Sequence, residues 1–107
     1  MGIATTQFRL IYLTLQKSDL EFKLQMVTES KMGLNNSINN MITVGTDLDP
    51  GSPEFKMLEA RKEKLQLIDK KLEQQMERYK TKLSMVETEL ESAQKMLDQN
   101  IKRAFSY

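Results

Sequence analysis

Gly45-Thr46-Asp47-Leu48-Asp49-Pro50-Gly51-Ser52-Pro53 is the stretch that decides the fold. It holds both prolines of the chain and two of its four glycines. Pro50-Gly51 is a turn dipeptide, because Pro presets φ and Gly accepts a positive φ. Ser52 suits an N-cap, Pro53 the first helical position, and Glu54 complements the positive end of a helix. A helix is therefore expected to start at about Pro53, and no strong breaker interrupts it before Tyr107. An earlier helix is expected to end near Val44, with Gly45 as its C-cap. Its start is softer, with Thr5 or Thr6 as the candidate cap. The expected fold class is all-α: a long antiparallel two-helix coiled-coil hairpin forming one domain, residues 1–107. Helix one covers about 5–44, the turn 45–52 and helix two about 53–105.

Composition agrees. The chain has 107 residues, enough for one domain at most, and Leu, Met, Glu, Gln and Lys dominate it. At 1.5 Å per residue the two helices would run about 60 Å and about 78 Å. A compact chain of this length has a radius of gyration of only about 13 Å, so a rod is expected. A short loop makes the two helices antiparallel neighbours. The sequence has no Cys, His or Trp, so disulfides, thiolate or imidazole metal sites and Cys or His nucleophile–base pairs are excluded. Sixteen basic residues balance fifteen acidic ones, which gives no global pull on nucleic acid or anionic lipid.

The apolar spacing fills in the hairpin. In helix two, Phe55, Leu58, Leu65, Leu72, Met76, Tyr79, Leu83, Val86, Leu90, Ala93 and Leu97 follow steps of three and four, with Lys62 and Asp69 as polar interruptions. In helix one, Leu13, Leu20, Leu24, Val27, Leu34, Ile38 and Met41 form the matching seam, interrupted by Lys17 and Lys31. The segment from Gly33 to Asn40 is rich in Asn, Ser and Gly, poor or middling helix formers, so softness or a break is expected there.

Two features exceed what a hairpin needs. Phe8, Ile11, Leu15, Phe22 and Met26 make a second stripe on helix one, offset from the seam, and Leu10-Ile11-Tyr12-Leu13 is continuously apolar. A helix that is apolar on more than one side is buried on more than one side. Charge density points the same way: residues 1–52 carry 9 charges and residues 53–107 carry 22. The second feature is overhang. Folding about residue 48 sets position n opposite roughly 97 − n, which leaves Leu97, Ile101, Ala104, Phe105 and Tyr107 without an intramolecular partner. Such patches mark interaction sites.

Other motifs have plain explanations. Asp47-x-Asp49-x-Gly51 fails the calcium-loop pattern, because the positions that need Gly and Glu hold Ser52 and Leu58. Met1-Gly2-Ile3-Ala4-Thr5-Thr6 fits the short myristoylation pattern, but no polybasic patch follows, and an ordinary start is the simpler reading. Lys70-Lys71 and the neighbouring basic pairs alternate with Glu and Asp, as on a solvated coiled-coil face. Glu73/Glu77 and Glu87/Glu91 stand one helical turn apart, but a two-helix rod offers no cleft for acid–base work. No run approaches the roughly 20 apolar residues of a membrane span, and no cleavable signal peptide is evident. The expected setting is cytoplasmic, or exported without a cleavable signal.

Pro50-Gly51-Ser52-Pro53, followed by Glu54-Phe55-Lys56-Met57-Leu58 and ending in Asn100-Ile101-Lys102-Arg103-Ala104-Phe105-Ser106-Tyr107, resembles type III secretion needle subunits. Those are short helical hairpins with a Pro-x-x-Pro turn and a long C-terminal helix. The resemblance covers roughly the second half of the chain. It implies homopolymerisation, with the C-terminal helix packed inside a filament and no catalytic residues. Prefoldin-type subunits carry β-hairpins that the loop here is too short to supply, and the small Trp-x-Gly hairpins need a Trp.

Two functions are left open. The first is a non-catalytic structural subunit that self-assembles, as a filament or secretion-appendage component. Its interface residues would be Phe8, Ile11, Tyr12, Leu15, Phe22, Leu97, Ile101, Ala104, Phe105 and Tyr107. The second is a coiled-coil adaptor or chaperone that offers the same surface to a heterologous protein. Neither needs a cofactor, a metal or nucleic acid.

Overall fold

A computed structural model describes residues 2–105, so Met1, Ser106 and the expected interface residue Tyr107 lie outside the described residues. The chain is an all-α helical hairpin of two helices, α1 (Ile3–Gly45) and α2 (Pro53–Phe105), with no strand among the described residues.

The turn works through side chains rather than through glycine. The Ser52 hydroxyl accepts a hydrogen bond from the Phe55 amide at 3.2 Å, which satisfies one of the orphan donors at the α2 N-terminus. Pro53 and Glu54 occupy the first turn behind it, and Lys102 and Arg103 sit in the last turn, where cations suit the negative helix end. Neither Gly45 nor Gly51 takes a positive φ, which corrects both expectations for these residues. At Pro50-Gly51 the Asp49 carboxylate accepts from the Gly51 amide at 3.1 Å, and the Asp49 carbonyl accepts from the Ser52 amide at 2.9 Å. This Asx-supported turn keeps both central residues right-handed. Gly45 is the last residue of α1 rather than a left-handed cap. The helix ends instead in tightened bonds from the Asp47 amide to the Val44 carbonyl and from the Leu48 amide to the Gly45 carbonyl. Gly45 serves close approach: a Cβ there would stand 3.3 Å from Leu58 Cδ2.

At the other end α1 begins at Ile3, two residues before the earlier candidate cap. Thr6 is inside the helix. Its amide bonds to the Gly2 carbonyl at 3.1 Å, and its hydroxyl donates to the same oxygen at 3.0 Å. The helix also runs unbroken through Gly33–Asn40, where a break had been one of the expectations. Ile38 is buried there and Leu34 and Met41 are half-buried, so tertiary packing outweighs weak propensity. Ser37 and Thr43 turn their hydroxyls back onto the Gly33 and Asn39 carbonyls, so these side chains add bonds within the helix.

The chain packs as two units. The terminal unit joins the residues up to Leu24 with those from Arg78 onward, and the turn unit is Gln25–Glu77. In each the helices are antiparallel and bury a stripe with steps of three and four. In the terminal unit the α1 stripe is Thr6, Leu10, Leu13, Lys17, Leu20 and Leu24, and the α2 stripe is Tyr79, Leu83, Val86, Leu90, Ala93, Leu97 and Asn100. In the turn unit it is Val27, Lys31, Leu34, Ile38, Met41 and Gly45 against Phe55, Leu58, Lys62, Leu65, Asp69, Leu72 and Met76. Every seam residue expected from the spacing lies on these stripes, and the stripes extend further than the apolar pattern. Full burial of a side chain such as Leu13, 2% exposed, stabilises by about 1.5–3 kcal/mol.

Candidate protein-binding face

On α1 of the terminal unit, Phe8, Leu15 and Phe22 stand seven residues apart on the side of the helix that faces away from α2. Ile11 and Tyr12 flank this row. All five are exposed, from 58% for Ile11 to 73% for Phe8. Scattered exposed apolar side chains are ordinary, but five large ones on one face within four turns form a contiguous patch. The two-sided character of α1 follows from it: the seam row and the outer row oppose each other, whereas α2 is apolar mainly on one side.

The edges of this face are polar and carry both signs. Gln16 donates to the Tyr12 hydroxyl at 3.0 Å, and Lys23 lies 2.8 Å from Asp19, so Tyr12, Gln16, Asp19 and Lys23 share one edge. Arg9 belongs to that edge and reaches Glu89 at 3.5 Å. Lys17 and Glu21 approach to 3.9 Å. The hydrogen bond and charge of Asp19 hold the Lys23 ammonium above its ordinary pKa of 10.5. These pairs are solvent-exposed, and such pairs contribute little to stability.

The remaining expected interface residues lie at the end of α2, and the register there needs correcting. The 97 − n rule sets Thr6 opposite residue 91, yet Asn100 donates its side-chain amide to the Thr6 hydroxyl at 3.2 Å. Asn100 thus stands against the first turns of α1, further along α2 than that rule sets it. The overhang is therefore shorter than expected. Leu97 is half-buried on the seam stripe, and the unpaired segment starts after Asn100. In that segment Ile101 and Ala104 are exposed and Phe105 is 80% exposed.

Sequence reasoning missed two polar contacts. One is the Thr6–Asn100 bond, made by Thr6, which is a buried polar residue at 1% exposure. Its signal was the heptad spacing: Thr6 is one step before Leu10, and Asn100 is one step after Leu97. The other is Lys31, which donates to both oxygens of Asp69 at 3.0 and 3.2 Å and lies 3.9 Å from Glu73. In the apolar spacing both residues count only as interruptions of their seams. Lys31 and Asp69 are mostly buried, at 19% and 22% side-chain exposure, so each is the other's compensation.

Among the described residues no group of three or more carboxylates converges as a metal site would require, and no buried side-chain polar atom lacks a partner. No described helix is long and apolar enough to cross a membrane. Comparison with protein families, with characterised proteins and with solved structures finds no match to this chain.

Proposed function

We propose that this chain is a non-catalytic structural subunit that assembles with copies of itself, as a filament or secretion-appendage component. The reading rests on one observation. Phe8, Ile11, Tyr12, Leu15 and Phe22 form an apolar face on the side of α1 that its partner helix leaves open. A two-helix core is thin, and burying this face against another chain supplies apolar area that the hairpin alone lacks. Ile101, Ala104 and Phe105 at the end of α2 supply a second contact, as the needle-like pattern of the C-terminal helix implies.

Light scattering on the full chain across a concentration series tests this. Self-assembly gives a mass that grows with concentration. Phe105→Asp and Ile101→Asp then give smaller species with unchanged helical circular dichroism, because neither residue is in the buried stripe. If both variants keep the large assembly, the α2 end has no part in it. A single-chain mass at every concentration favours the adaptor or chaperone reading instead.

A further inference from the structure

The outer face of α1 has features that narrow down what covers it. Its central row repeats every seven residues, the period of the seam that binds α2, so a second helix winding slowly around α1 fits along it. The row is nearly symmetric about its middle, with an aromatic ring seven residues to either side of Leu15. The edge charges are arranged to match. In an antiparallel pair of like helices, an edge meets the same edge of the partner, running the other way. With the two-fold axis next to position 14, Arg9 comes opposite Asp19 of the second helix, twice by symmetry, and Lys23 comes opposite the uncharged Thr5. On the other edge Gln7 meets Glu21. No like charges are directly opposed. In the parallel arrangement, Lys23 meets Glu21, but Asp19 is brought beside that same Glu21. The present partners of Arg9 and Asp19 are exposed ion pairs at 3.5 and 2.8 Å, which cost little to exchange.

From this complementarity we infer that the occupant of the face is the same face of a second copy, the two α1 helices packing antiparallel about an axis next to position 14, beside Leu15, as an isologous, two-fold contact. The inference rests on the self-assembly reading and gives it a geometry. Phe8 of one copy packs near Phe22 of the other, and the two α2 helices lie on the outside of a four-helix arrangement.

The chain contains no cysteine, so single-cysteine variants report the pairing without background. Thr5→Cys and Lys23→Cys are both at exposed positions. With a short bismaleimide cross-linker, the mixture of the two variants gives a covalent dimer. Neither variant alone does so, because like positions then lie about 27 Å apart along the axis. Leu15→Asp, added to both, removes the cross-link and leaves helicity unchanged. Several results overturn the inference. Linking of Lys23→Cys to Glu21→Cys, in place of Thr5→Cys, shows parallel pairing and leaves self-assembly standing. Large species by light scattering with no cross-link at any of these positions place assembly elsewhere, such as at the α2 end. A single-chain mass at every concentration overturns both the pairing and the self-assembly reading, and the face then belongs to a different protein.

Discussion

The two units share one packing scheme and differ on the outside. Along α1, the positions that face away from α2 hold Phe8, Ile11, Tyr12, Leu15 and Phe22 in the terminal unit. In the turn unit the corresponding positions hold Glu29, Gly33, Asn36, Asn39 and Asn40 together with Met26 and Met32. Exposed apolar residues of the turn unit, such as Ile42, Met57 and Leu67, are distributed over different faces. The polar seam contacts differ as well. The terminal unit buries a neutral hydroxyl–amide pair, Thr6 with Asn100, whereas the turn unit buries an ion pair, Lys31 with Asp69. A helix thus keeps a constant inner face for its own hairpin while its outer face changes from asparagine to aromatic. Fold and candidate interaction are written on opposite sides of the same residues.

Two leucines in the terminal unit separate those roles most sharply. Leu13→Ala empties a fully buried seam position and is expected to lower unfolding stability by about 2–5 kcal/mol in a urea titration. Leu15→Ser, two residues along and 65% exposed, is expected to leave the stability of a single hairpin within about 0.5 kcal/mol. An equal loss in both, measured at concentrations too low for association, would erase the distinction between inner and outer faces.

The next largest effect belongs to the turn unit. Lys31→Met leaves Asp69 mostly buried with no ammonium to hold, at an expected cost of about 2 kcal/mol, short of the 3–5 kcal/mol for a fully buried pair because water reaches both groups. Replacing both residues by Leu is expected to recover that loss or exceed it. If the single change is neutral, solvent already satisfies the Asp69 carboxylate, and the ion pair does not distinguish the units. Smaller still is the contrast between two glycines of this unit. Gly33 has open space where a Cβ would go, so Gly33→Ala should raise stability by about 0.5–1 kcal/mol through helix propensity. Gly45→Ala should gain less or lose, because its Cβ would crowd Leu58. Thermal melts of the two variants, compared at one protein concentration, decide this.

The hairpin was legible because turn chemistry and heptad spacing are local signals. Ser52, Pro53 and Glu54 begin α2 as their chemistry predicts, and the expected seam residues lie on the buried stripes. The register was less legible. It depends on how tightly residues 46–52 wrap, and a small change in the fold-back point is doubled at the partner position. Thr6 and Asn100 were overlooked for a different reason: an apolar pattern cannot register a polar pair that satisfies itself inside a seam. The expected break at Gly33–Asn40 failed because propensity sums ignore Ile38, whose burial supplies the tertiary term. The outer face of α1 was visible as surplus apolar residues, and the structure adds that these residues are exposed on the side away from α2.

The Thr6–Asn100 bond joins residues 94 apart in sequence, while Gly45 and Leu58 lie close together across the turn of residues 46–52. Loop closure costs more entropy the longer the loop, and contacts near a turn form first when they shorten the loops that follow. Folding of this chain is therefore expected to proceed as a zipper from Asp49–Ser52 outward, with the terminal unit closing last. Pulsed hydrogen exchange would show it as earlier amide protection in Gln25–Glu77 than in Ile3–Leu24, and simultaneous protection would refute it. Most helical stability in a folded chain comes from packing of a helix face, so Ile3–Leu24 becomes a stable helix only when α2 closes on it. The aromatic row of Phe8, Leu15 and Phe22 then becomes an ordered surface only at the final step, so a chain still folding does not yet present the face on which finished copies would meet.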